Sequence, residues 1–207
     1  MNPTAAIPSS LAERLDAAAT GRSFMVALAG PPGAGKSTLG EALVAGRGAA
    51  LVPMDGFHLD NRLLDAAGLR HRKGAPRTFD AAGCLALLAR LRAGEDVVAP
   101  LFDRERDLAI AGALAVPGDA PLIVVEGNYL LLDRPVWRDI AALFDLTVMI
   151  DPGEAVLERR LVKRWLDHGH DLETAKARAA DNDLVNARTV LRESLPPDLR
   201  LTGEERG

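Results

Sequence analysis

Phe24-Met25-Val26-Ala27-Leu28-Ala29 runs directly into Gly30-Pro31-Pro32-Gly33-Ala34-Gly35-Lys36-Ser37, and Thr38 follows. Six apolar residues bounded by a glycine-rich turn read as a buried strand. Gly-x-x-x-x-Gly-Lys-Ser in that position is the pattern of a phosphate-binding loop that opens a helix. Each residue type has a physical task there. Gly30, Gly33 and Gly35 accept backbone angles that a Cβ obstructs. The chain from Gly30 through Pro31, Pro32, Ala34 and Thr38 can then curl until successive N–H groups face one concavity. The helix starting near Lys36 adds the positive end of its dipole. The Lys36 ammonium is expected to reach the β- and γ-phosphates of a nucleotide, and the Ser37 hydroxyl to ligate Mg²⁺.

Outward from this loop, short apolar runs alternate with helical patterns. Ile7–Thr20 has helical spacing with Ser9 or Ser10 as caps, and Lys36 to about Gly46 is the helix after the loop. Leu51–Met54, Leu122–Val125 and Leu146–Ile150 read as strands, with Leu199–Leu201 as a short last one. Arg62–Ala67, Asp80–Arg92, Val136–Leu143 and Glu154–His168 read as helices, and Leu172–Arg192 as one or two more. Val97–Phe102 and Leu108–Leu114 flank Asp103–Asp107 in the manner of a hairpin. Short strands apolar on both faces, separated by helices, imply a mainly parallel sheet covered on both sides. Ligands of such sheets sit at the carboxyl ends of the strands. The loop, Asp55, Glu126 and Asp151 all follow strands, so they are expected along one edge.

A chain of 207 residues suits a single domain with a small lid. The formal net charge of −4 argues against a general nucleic-acid binder. No apolar run approaches bilayer length and the start does not resemble a signal peptide, so no membrane role and a cytoplasmic location are expected. The single Cys84, in an apolar stretch, reads as a small core residue.

Asp55, before Gly56 at the end of the second strand, can accept a proton from a hydroxyl that attacks the γ-phosphate. Glu126, after Leu122-Ile123-Val124-Val125, suits the Mg²⁺ shell. Asp151, ahead of Pro152-Gly153, reads as a turn or cap. The basic cluster Arg159, Arg160, Lys163 and Arg164 fits a solvated face as well as a lid over phosphates. Arg70-His71-Arg72-Lys73 reads as a surface loop that could also wall an acceptor pocket, and Asn182, Asp183 and Asn186 as exposed positions that could also face the site. The histidines lack the spacing of a zinc site.

Taken together, Gly30–Ser37, Met54-Asp55-Gly56-Phe57-His58 and Val125-Glu126-Gly127-Asn128-Tyr129-Leu130-Leu131 resemble the phosphoribulokinase, uridine kinase and bacterial pantothenate kinase group. Pro76-Arg77-Thr78-Phe79-Asp80 and Pro100-Leu101-Phe102-Asp103 fit the same group in order, and the likeness extends over about residues 22–202. It is nearest to bacterial fructose-transport-associated, fructokinase-like members. The resemblance implies a P-loop NTP hydrolase fold of α/β class: a mainly parallel sheet with helices on both faces, a lid at roughly 158–172 and an acceptor-side insertion with a hairpin at roughly 57–115. It implies ATP and Mg²⁺, with Asp55 as base, Lys36 and Arg160 as catalytic cations, and Ser37 and Glu126 as metal-shell residues. It favours the lid role for Arg160 and Lys163 as nucleotide contacts. The acceptor, a small metabolite and most simply a sugar, is expected between Asp55, Phe57, His58, Arg77, Phe102 and Tyr129. Where nucleoside kinases carry Arg-x-Gly-Arg-Asp-Leu, this chain has His168-Gly169-His170-Asp171-Leu172, which sets it apart from them. A nucleoside or pantothenate-type kinase, a nucleotide kinase using Arg70–Lys73 for an acceptor phosphate, and a regulatory ATPase without acceptor stay open, as does a homodimer.

Overall fold

The computed structural model describes residues 6–18 and 23–203. Its first helix, α1 (Ser9–Asp16), is entered from Pro8 rather than capped by a serine side chain. The last two residues of the expected Ile7–Thr20 helix lie outside the described residues. β1 (Phe24–Ala29) feeds the glycine-rich loop and α2 (Lys36–Arg47), and β2 is Ala50–Pro53. A single 3₁₀ turn, Met54–Phe57, takes the chain out of β2, one residue earlier than the sequence suggests. α3 (Asn61–Ala66) and α4 (Ala81–Arg92) follow, capped by the side chains of Asp60 and Asp80.

β3 (Val97–Asp103) and β4 (Leu108–Val116) pair antiparallel in their own two-stranded sheet. β5 (Leu122–Gly127) then returns to the main sheet. α5 is only Trp137–Ala141, shorter than the Val136–Leu143 expected. Val136 sits at φ 70°, where a β-branched residue cannot belong to a right-handed helix. β6 (Leu146–Asp151), α6 (Glu154–Asp167), α7 (Leu172–Arg178), α8 (Leu184–Glu193) and β7 (Leu199–Thr202) complete the order. A single turn of π-helix, Ala179–Asp183, joins α7 to α8.

Among the described residues five strands form the main sheet in the order β2-β5-β1-β6-β7, parallel throughout. Successive side chains of a strand point to opposite faces, and β1 serves both. Met25, Ala27 and Ala29 pack with α4 and α5 through Leu88, Leu91 and Trp137. Val26 and Leu28 pack with α1, α2 and α6 through Leu11, Leu43, Leu157 and Leu161. Removing one such leucine from water is worth about 2 kcal/mol, so Leu157 and Leu161 alone give α6 a firm seat over the loop. Cys84 is fully buried in the first of these layers, and burial pushes its thiol up to about 12.

Candidate active site

The carboxyl ends of β1, β2 and β5 bring the loop, Asp55 and Glu126 to one cleft of about 480 Å³. Gly33 and Gly35 have φ of 79° and 92°, the left-handed angles that curl the loop. Gly30 is required for a different reason: a Cβ there would lie 2.7 Å from the Ile150 carbonyl of β6. α2 starts at Gly35 with no side chain capping its first N–H groups, and an uncapped start needs outside acceptors. A phosphate chain supplies them.

Pro31 and Ala34 are buried under the loop, while Pro32, Gly33, Gly35, Ser37 and Thr38 line the cleft. Lys36 is buried, and its ammonium donates to the Pro31 carbonyl at 3.0 Å and to Asn128 Oδ1 at 2.7 Å. Desolvation lowers its pKa and the negative charge of Glu126 partly opposes this. Ser37 Oγ donates to Glu126 Oε1 at 3.1 Å. Burial, first of all, raises the Glu126 pKa, with Lys36 pulling it back. A hydroxyl and a carboxylate in contact are hard oxygen donors of the sort Mg²⁺ accepts, with nucleotide oxygens and water filling its other positions. The cleft therefore fits a triphosphate and its metal.

Asp55 faces the same cleft from the 3₁₀ turn. Its Oδ2 accepts from Arg104 Nη2 at 2.9 Å, a contact that spans from the hairpin tip. Gly56 passes through this 3₁₀ turn without a positive φ. A Cβ at this position would meet the Pro100 carbonyl oxygen at 2.1 Å, so glycine lets β3 approach. The Asp55 carbonyl accepts from His58 Nδ1 at 2.7 Å, which places the proton of the imidazole on that nitrogen. The His58 ring lies 4.0 Å from Phe79 and 4.5 Å from Phe102, and burial lowers its pKa.

Arg160 Nη1 donates to the carbonyls of Gly33 and Ala34 at 3.1 and 3.3 Å, lacing α6 to the loop. Four expected contacts are placed elsewhere. Lys163 is exposed, paired with Asp167 at 2.8 Å and outside the lining of the cleft, while Arg164, four residues after Arg160, is part of it. Tyr129 is fully buried; its hydroxyl donates to the Gly74 carbonyl at 2.6 Å and its ring packs on Phe79 and Trp137. Arg77 is exposed and outside the lining. Phe57 is 7% exposed and belongs mainly to the core.

Arg164 of the basic cluster meets here, and so do two residues to which the sequence alone assigns no role, Asn128 and Arg104. Asn128 stands two residues after Glu126 at the end of β5, a position that could have flagged it. The basic stretch is packed, not loose. Lys73 Nζ contacts Asn61 Oδ1 and the Asp107 carbonyl, both at 2.7 Å, and lies 5.0 Å from the Phe102 ring centre. Asp151 pairs with Arg200 at 3.2 Å. Among the described residues no three His, Cys, Asp or Glu side chains gather as a metal cluster, and no helix is long and apolar enough to cross a membrane. A larger cavity of about 650 Å³, at the opposite ends of β1 and β5, contains none of these groups.

Comparison with known proteins adds a second line. The profile of the Phosphoribulokinase / Uridine kinase family matches residues 25–183. A solved structure from Silicibacter sp. TM1040, provisionally named a fructose transport system kinase, is 52% identical with a TM-score of 0.84, covering 92% of this chain and 94% of that one. The Escherichia coli K12 protein YggC is 38% identical over 193 residues, 90% of this chain and 80% of its own length. A Schizosaccharomyces pombe protein provisionally named a uridine kinase is 31% identical, covering 86% of this chain and 82% of that one.

Proposed function

Because this chain belongs to the Phosphoribulokinase / Uridine kinase family, a family of P-loop kinases acting on small metabolites, we propose that it transfers the γ-phosphate of ATP to a hydroxyl of a sugar. The observation that carries this reading is the convergence of Lys36, the Ser37–Glu126 pair and Asp55 on one cleft. Ser37 and Glu126 would hold a Mg²⁺ ion, which would offset the negative charge of the phosphates. The chain's own residues do the rest. The loop amides and Lys36 bind the triphosphate tail, and Arg160 holds the loop carbonyls in place. Asp55 takes the hydroxyl proton as that oxygen bonds to the γ-phosphorus and the bond to ADP breaks. Arg104 pairs with Asp55, His58 bonds its carbonyl and Phe102 packs on the His58 ring, a charged and an aromatic wall beside the base for the acceptor. Residues 57–115 supply that wall and residues 158–172 the cover over the phosphates, within one working domain. Closure of the cover favours the acceptor over water.

A sugar is favoured by the 52% identity to the Silicibacter structure named for a fructose transport system. The test is ADP release with Mg²⁺-ATP and a panel of sugars, nucleosides and pantothenate. Turnover that rises with D-fructose or a related sugar supports the reading. Turnover confined to a nucleoside or pantothenate replaces the acceptor, and hydrolysis indifferent to every metabolite overturns the kinase assignment.

A further inference from the structure

Arg164 reaches the cleft under the control of a residue from another helix. Its Nη2 donates to Asp183 Oδ2 at 2.7 Å, and the indole N–H of Trp165 donates to the same oxygen at 2.8 Å. Asp183 is 7% exposed, so this carboxylate is withdrawn from water. A buried charge with two donors is costly to disturb. The Trp165 ring is itself wedged in place, 5.5 Å from the His170 ring and 4.9 Å from the Arg178 guanidinium. One edge of the Arg164 fork is thus fixed, while the side chain remains 37% exposed at the cleft.

Asp183 closes the π-turn Ala179–Asp183. Such turns insert one residue into a helix and recur at functional positions. The insertion rotates everything after it by about 100° relative to an unbroken helix. The neighbour Asn182 donates to the Lys73 carbonyl at 2.9 Å, and Asn186, one turn on, donates to Asn182 Oδ1 at 3.3 Å. Arg72 Nη1 donates to the Asp181 carbonyl at 3.0 Å. One short turn therefore grips the acceptor-side segment with Asn182 and the phosphate-side helix with Asp183.

We propose that Asp183 is a positioning residue that aims Arg164 at the terminal phosphate of a bound nucleoside triphosphate, from a π-turn anchored on the Arg72–Lys73 segment. The inference rests on the nucleotide-binding reading of the cleft but not on the identity of the acceptor. Arg164 has a fork with two usable edges, one for Asp183 and one for phosphate oxygens. Lysine cannot bridge in that way.

The discriminating quantity is the ratio of Mg²⁺-ATP to Mg²⁺-ADP affinity, measured by calorimetry, because a merely structural defect weakens both nucleotides together. Arg164→Gln is expected to weaken ATP about tenfold and ADP less than twofold. Asp183→Asn is expected to lower the ratio by a similar factor, and the double variant to be no worse than the weaker single one. Asp183→Glu restores part of the ratio. An unchanged ratio in Asp183→Asn, or losses that multiply in the double variant, overturns the proposal. If Asp183→Asn does not fold, Arg164→Lys decides: a ratio equal to that of the parent protein overturns it, and a tenfold fall supports it. Failure of the parent protein to bind ATP removes the nucleotide reading as well. ATP binding without any accepted metabolite removes only the kinase reading.

Discussion

Gly56→Ala is a one-methyl test of how the acceptor side is docked on the nucleotide side. The added Cβ would stand 2.1 Å from the Pro100 carbonyl oxygen and 2.6 Å from its carbon. A carbon–oxygen contact settles at about 3.3 Å, so β3 must retreat by about 1 Å. The obstacle is backbone, which cannot rotate aside like a side chain. Overpacking of this kind costs about 1–3 kcal/mol. The alanine recovers at most about 1 kcal/mol by narrowing the unfolded ensemble. A net loss of about 1–2 kcal/mol corresponds to a Tm lower by about 2–8 °C at this chain length. The same retreat carries Arg104 away from Asp55, with which it makes a 2.9 Å contact. A misplacement of about 1 Å near reacting atoms can cost a hundredfold in turnover. Urea or thermal unfolding gives the first quantity, and ADP release with the best acceptor of the panel gives the second. ATP affinity should change little, since the loop is not displaced. An alanine variant with unaltered Tm and turnover would refute the close-approach account of Gly56.

Three further outcomes are expected. Asp55→Asn should keep ATP affinity and lose about 10²–10⁴ in turnover; because its partner Arg104 is largely exposed, stability should move by less than about 1 kcal/mol, and near-normal phosphoryl transfer would exclude it as the base. Lys36→Ala should weaken ATP by about 10–100-fold, the worth of a charged hydrogen bond, and calorimetry showing equal affinity contradicts the loop assignment. Burial holds the folded His58 pKa below its ordinary 6.5, so on acidification the unfolded chain takes that proton first and stability falls. Glu126, shifted upward by burial, acts in the opposite sense. His58→Gln should therefore lose less stability than the parent between pH 7 and pH 5.5, as read from urea midpoints; an identical loss rejects the assignment.

The main sheet was legible because its signals are local. Met25–Ala29, Ile123–Val125 and Val148–Ile150 are apolar on both faces, and each is followed by turn residues. The loop was legible because its chemistry is written in consecutive residues. What escaped depends on partners remote in sequence. Nothing near Gly56 announces that Pro100 will pass within reach of a Cβ, and nothing near Arg104 points to Asp55. Lys163 and Arg164 are neighbours of like charge, and only the seat of Leu157 and Leu161 decides which one faces the cleft. Tyr129 follows Glu126 and Asn128 closely, yet it turns inward onto Phe79 and Trp137. The roles of Asn182 and Asp183 required a π-turn, which no periodicity in the sequence reveals.

The β3–β4 ribbon shares no ladder with the five-stranded sheet. Val97, Ala99 and Val116 seat its base in the core, and its outer part is fastened by polar clasps, chiefly Asp107 with Asn61 and Lys73, and by the bare backbone of Gly56. Evolution can therefore re-tailor the ribbon for a new cargo while the phosphate engine beneath is inherited intact, and related enzymes should diverge in appetite sooner than in fuel.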